Sequence, residues 1–123
     1  MRKERIFTPG PTRLIPEAQL GMSQPLIHHR TDRFKALLKE TQKNLQEIFR
    51  TKNDVVILTS SGTGAMEAVV SALLGQGDHA LAVVAGKFGQ RWLEICQTHK
   101  IPCTPLLREY GRAATDQEIC QAL

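Results

Sequence analysis

An α/β fold with a mostly parallel sheet is what this 123-residue chain predicts, and three observations carry the expectation. From residue 55 onward, short β-branched or aliphatic runs alternate with stretches of helical apolar spacing. Such alternation is the pattern of strand–helix–strand units with parallel strands and helices on the sheet faces. The stretch Gly62 to Leu74 is apolar almost all round, with Ala65, Met66, Ala68, Val69, Val70, Ala72, Leu73 and Leu74, as expected of a helix buried on most of its sides. Between the first β-branched run and that helix stands a small polar turn, Thr59-Ser60-Ser61-Gly62-Thr63-Gly64.

The elements follow in order. Phe34, Leu37, Leu38, Leu45, Ile48 and Phe49 share one side of a helix over 32–50, and Lys35, Lys39 and Lys43 share another, the arrangement of an amphipathic helix. Val55 to Thr59 is the first expected strand and 62–74 the apolar helix; "GQGD" at 75–78 is a turn, and "HALAVV" at 79–84 a second strand. Over 87–100, Phe88, Trp92, Ile95, Cys96 and His99 fall on one helical face, and Pro102 follows the end. "CTPLLRE" at 103–109 fits a third strand, weakened by Pro105, and "TDQEICQAL" opens like a capped helix with Thr115, Asp116 and Glu118.

A chain of this length holds one domain with a core and not two. Three strands and a few short helices cannot enclose the 62–74 helix, so the expectation is the N-terminal part of something larger, or else a small protein that covers those faces by oligomerising. The net charge of +4 is concentrated where Arg30, Arg33, Lys35, Lys39, Lys43, Arg50 and Lys52 outnumber Asp32, Glu40 and Glu47. Without greater basic density or interleaved aromatics this is a solvated face, and neither a nucleic-acid nor a membrane partner is expected. No apolar run is long enough to span a bilayer. The opening "MRKERIFTPGPT" reaches Pro9 and Gly10 with no apolar signal region, so a cytoplasmic location is expected. Cys96, Cys103 and Cys120 are odd in number with no C-x-x-C pair, which points to ordinary thiols. Cys96, His99 and Cys103 have a ligand-like look but no fourth partner, and no metal is expected.

A strand passing straight into a helix leaves unpaired N–H groups at the helix start. With the helix dipole, the glycines Gly62 and Gly64, and the hydroxyls of Ser61 and Thr63, the turn is suited to hold an anion. It is neither a Walker A loop nor G-x-G-x-x-G, because no Gly-Lys-Ser/Thr closes it and residue 67 is Glu. Taken alone, the same residues can equally serve only to cap the helix.

Four segments in order, "TPGPTRLIPEA" at 8–18, "PLIHHRTDRF" at 25–34, "LTSSGTGAMEA" at 58–68 and "VAGKFGQRW" at 84–92, together resemble the N-terminal third of a class V aminotransferase of the alanine–glyoxylate, serine–glyoxylate and serine–pyruvate group. The resemblance implies the type I pyridoxal 5′-phosphate fold, a homodimer, and transfer of an amino group between a small amino acid and a 2-oxo acid. It divides the chain into an N-terminal active-site and dimer-contact segment, 1–30, and the first part of the large cofactor-binding domain, 31–123, with its helix and a β-α-β-α-β series. It assigns the cofactor phosphate to Ser61, Gly62 and Thr63, and ring stacking to Phe88, which otherwise reads as a core aromatic four before Trp92. Gly10, otherwise part of a rigid turn, would meet a substrate carboxylate. His28, His29 and Arg30 would lie at the dimer interface, or else are plain surface residues.

In such enzymes the Schiff-base lysine comes later in the chain, as do the acidic partner of the pyridine nitrogen and the substrate-carboxylate arginine. None of the seven lysines here matches its context, Lys87 included. The resemblance therefore implies no catalytic residue within this chain and no transaminase activity of the chain alone. Cysteine desulfurases share the fold but place a histidine where Phe88 would stack. A non-enzymatic α/β or interaction subunit, of the kind labelled a soluble hydrogenase small subunit in some cyanobacterial relatives, is the other alternative.

Overall fold

The computed structural model describes residues 6–123, which fall into two compact units, one up to Val56 and the other Ile57–Leu123.

In the first unit, α1 spans Pro16–Met22, with proline in its first turn, where the missing N–H is no loss. Its periodicity is too short to announce it in the sequence. Helix α2 spans Asp32–Phe49, as the apolar spacing predicts. Thr31 starts it: its hydroxyl accepts from the Phe34 N–H at 3.3 Å and donates to the His28 carbonyl at 2.8 Å. Arg50 ends it in the left-handed region, with φ 51°, while the Thr51 N–H closes on the Gln46 carbonyl at 3.0 Å. Gln42 and Gln46 then donate to the carbonyls of Val55 and Asn53 at 3.3 and 3.0 Å, fastening the following segment back along the helix. The basic face is solvated, its Lys35–Asp32 pair at 2.9 Å being largely exposed.

The second unit runs α3 (Gly62–Leu73), β1 (Ala80–Val84), α4 (Lys87–Thr98), β2 (Cys103–Leu107) and α5 (Asp116–Ala122). Strands β1 and β2 pair in parallel, Ala80 opposite Cys103 through Val84 opposite Leu107, with α4 as the crossover. Pro105 is tolerated for a geometric reason. The bonds Ala80 N–H to Pro102 O and Arg108 N–H to Val84 O fall on the even-numbered residues that flank β2. Alternation therefore puts the nitrogen of Pro105 on the side away from β1, where no ladder bond is lost.

The strand expected over 55–59 is not formed. Val55 to Thr59 find no ladder partner among the described residues, Val56, Ile57 and Leu58 are substantially exposed, and the Ser60 N–H turns back onto the Leu58 carbonyl at 2.9 Å. β-branched composition favours an extended backbone, but a strand exists only against a neighbour. The β-α-β-α-β series is thus reduced to its last β-α-β. The burial expected of the 62–74 helix is likewise one-sided. Val70 is 3 % exposed and packs with Ile95 and Cys96 against Met66, Leu74, Ala80, Trp92, Ile101 and Cys103, whereas Val69 and Leu73 are 47 % and 73 % exposed.

Helix α4 ends with Lys100 at φ 57°. Its N–H donates to Gln97 at 3.1 Å and that of Ile101 to Cys96 at 2.9 Å, a Schellman closure made without glycine. Helix α5 opens on a capping box between Thr115 and Glu118. Arg108, from the end of β2, and Arg112 both reach the Glu118 carboxylate, at 3.0 and 2.9 Å. The Thr115 N–H, then the Arg108 guanidinium, hold that carboxyl down to about 2.

Candidate cofactor cradle

Ser61, Gly62 and Thr63 stand where the turn predicts, at the start of α3. Ser61 occupies the capping position with an extended backbone, yet its side chain makes no capping bond. The Gly64 N–H is used locally, donating to the Ser61 carbonyl at 3.0 Å. The N–H groups of Gly62 and Thr63 have no backbone acceptor among the described residues. Two free backbone donors and the hydroxyls of Ser61 and Thr63 therefore share one exposed helix start, at the positive end of the helix dipole. That donor set matches the oxygens of a phosphate.

The two glycines of the turn have different reasons. At Gly62 an added Cβ would meet nothing within 4 Å, so the backbone there is open to approach from outside. At Gly64 a Cβ would run into the hydroxyl of Ser60 and lie 2.6 Å from its Cβ. The space at Gly64 is thus taken by Ser60 rather than kept for a ligand, a role the spacing of glycines does not disclose.

Phe88 lies in the first turn of α4, beyond the C-terminal end of β1, and is 66 % exposed. Open α/β sheets present ligand sites at the C-terminal ends of their strands. The core reading of Phe88 does not hold within this chain, because Trp92, four residues on, packs against the core while Phe88 faces out. Lys87 lies forward along its own helix, its Nζ donating to Gln90 Oε1 at 3.3 Å.

Gly10 belongs to the first unit, in an exposed irregular segment with a cis Gly10–Pro11 bond and open space where a side chain would stand. His28 and His29 stack with ring centroids 4.6 Å apart, and His28 Nδ1 accepts from the Arg30 N–H at 3.2 Å. His99 does not join the neighbouring thiols: its Nε2 is 3.1 Å from Glu67 Oε1, tying α4 to α3. Burial, and then the adjacent Cys96, push the Cys103 thiol up. No helix among the described residues is long and apolar enough to cross a membrane.

The aspartate aminotransferase of subgroup IV from Thermus thermophilus superposes with a TM-score of 0.88 at 37% identity, over 94% of this chain and 33% of that one. Residues 18–119 match the aminotransferase class-V family, and the chain belongs to that family. An uncharacterized aminotransferase of Methanocaldococcus jannaschii is 36% identical over 98% of this chain and 31% of its own length. The L-aspartate–glyoxylate aminotransferase of Paracoccus denitrificans is 33% identical over 86% and 27% respectively. A relative from Anabaena cylindrica, 35% identical over 98% of this chain and 32% of its own length, is named a soluble hydrogenase 42 kDa subunit. The chain thus spans about a third of the length of the curated relatives it matches.

Proposed function

We propose that this chain forms part of the cofactor-binding portion of an enzyme that moves an amino group between a small amino acid and a 2-oxo acid. The single observation that carries the reading is the uncapped, exposed start of α3 in a member of the class-V aminotransferase family. Ser61, Gly62 and Thr63 receive the phosphate of pyridoxal 5′-phosphate through two N–H groups and two hydroxyls. Phe88 lies against the pyridine ring and orients it, a contact worth about 0.5–1.5 kcal/mol beyond burial. The cofactor, when bound, supplies the electron sink for the bond broken at the amino-acid α-carbon.

Gly10, with no side chain in the way, offers its backbone to the substrate carboxylate. Glyoxylate is the favoured acceptor, since the Paracoccus relative carries that acceptor in its name, with alanine or serine as donor. Lys87 is not the residue that holds the cofactor covalently. Its neighbour Phe88 has to lie flat against the ring, and its own Nζ turns toward Gln90; that lysine lies outside these 123 residues, and the chain alone is inactive. The enzyme works as a cytoplasmic homodimer, with His28, His29 and Arg30 at the subunit contact. The enzyme carrying this chain should form the 2-oxo acid of alanine or serine and glycine from glyoxylate in equal amounts. Release of sulfide from cysteine in place of such transfer would move it to the desulfurases.

A further inference from the structure

Gly89 carries a constraint that its sequence position hides. It sits in the first turn of α4, directly after Phe88, and its conformation is not the left-handed one that calls for glycine. On helix propensity alone, alanine would serve better there. The reason for glycine is space. A Cβ on Gly89 would run into the carbonyl oxygen of Val83 and lie 2.9 Å from the Cα of Val84 and 3.2 Å from the carbonyl carbon of Val83.

These are main-chain atoms of β1, next to the Val84 carbonyl that accepts from the Arg108 N–H at 2.9 Å, so relieving the clash means moving a paired strand rather than the far end of a side chain. Other glycines of the described residues differ: a Cβ at Gly62 or Gly86 meets nothing within 4 Å, and at Gly64 it meets the hydroxyl and Cβ of Ser60, in an irregular segment rather than in a strand. We propose that Gly89 is a positioning residue for Phe88, letting the first turn of α4 seat on the C-terminal end of β1 and thereby fixing where the Phe88 ring stands. The inference rests on the reading of Phe88 as the ring-stacking residue, and it goes further by naming what holds that ring in place. Any side chain at 89 must lift the first turn, and Phe88 moves with it.

The test uses the holoenzyme carrying this chain, with Gly89→Ala, Phe88→Ala, the double variant and Gly86→Ala. The measurements are visible circular dichroism of the bound cofactor, cofactor affinity and thermal unfolding. Gly89→Ala is expected to change the cofactor dichroism, to weaken affinity by roughly 2–12-fold, the range of an aromatic stacking contact, and to lower the unfolding temperature. Gly86→Ala should leave the cofactor signals unchanged. In the Phe88→Ala background, Gly89→Ala should cost no further affinity.

A Gly89→Ala protein that is more stable and has unaltered dichroism would overturn the close approach. An equal loss of affinity with and without Phe88 would show that Gly89 does not act through the ring and would likewise overturn the proposal. If Phe88→Ala leaves the cofactor signals untouched, the stacking reading itself fails, whereas hydrogen exchange at residues 87–90 in Gly89→Ala still judges the seating of α4 separately. Should Gly89→Ala not fold, exchange in the unsubstituted protein decides. Cofactor must slow it at residues 87–90 in wild type and not in Phe88→Ala, and equal slowing in both rules the coupling out.

Discussion

Val69 and Leu73 lie one helical turn apart on α3 and are 47 % and 73 % exposed, an apolar stripe on a helix that is covered on its other side. Fully burying a side chain of this kind is worth about 1.5–3 kcal/mol. Scaled by those exposures, covering both would contribute about 2–3.5 kcal/mol per copy, or about 4–7 kcal/mol for a symmetric contact between two copies. Association costs an estimated ~4–15 kcal/mol, so the stripe alone does not make a tight dimer. The 123-residue chain on its own should instead associate weakly and without one defined size, helped by the exposed Ile57 and Leu58. Replacing Val69 and Leu73 by glutamine should shift it toward monomer in sedimentation velocity across a concentration series, with little loss of helix by circular dichroism. A wild-type chain that sediments as a monomer at every concentration and melts cooperatively would show that the exposed stripe on α3 drives no association.

Glu118 should titrate in the folded protein near the value of about 2 to which its partners hold it. Because that lies below the ordinary value of 4.5, the docking of α5 is supported at neutral pH and loses that support as pH falls from about 4.5 toward 2. Arg108→Gln should raise the midpoint seen by carboxyl NMR only in part, since the Thr115 N–H still donates at 2.8 Å. An ordinary midpoint in wild type would sink this account of the cap. Lys100→Gly should stabilise the protein by about 0.5–1 kcal/mol, the left-handed cost removed less the freedom glycine adds to the unfolded chain. A loss of stability in chemical unfolding would show that the Lys100 side chain matters more than its φ of 57°.

Much of the second unit is legible in the sequence because local signals suffice for it. The apolar face of α4, the capping residues Thr115 and Glu118, and the short aliphatic runs of β1 and β2 all say where elements begin and end. What misleads is whatever depends on a neighbour. Val55 to Thr59 have strand composition but no strand beside them, and α3 has the composition of a buried helix with only Val70 buried. The site is partly legible for the same reason. A small polar turn entering a helix announces donors, whereas the missing capping bond of the Ser61 side chain is visible only in the structure. The constraints at Gly64 and Gly89 were illegible, since they arise from Ser60 and from the backbone of β1, and spacing does not report close approach.

Whether the start of α3 holds the cofactor phosphate is decided by the affinity of the enzyme carrying this chain for pyridoxal 5′-phosphate when Ser61 and Thr63 are both changed to alanine. Hydrogen bonds to a charged group are worth roughly 1.5–3 kcal/mol each, and the free N–H groups of Gly62 and Thr63 survive the substitution. Affinity should fall by roughly 10²–10⁴-fold, with the fold intact by circular dichroism and the phosphorus-31 resonance of residual bound cofactor shifted. Affinity and resonance unchanged from wild type would contradict phosphate binding at this turn and leave Ser61 and Thr63 as ordinary residues of a helix start.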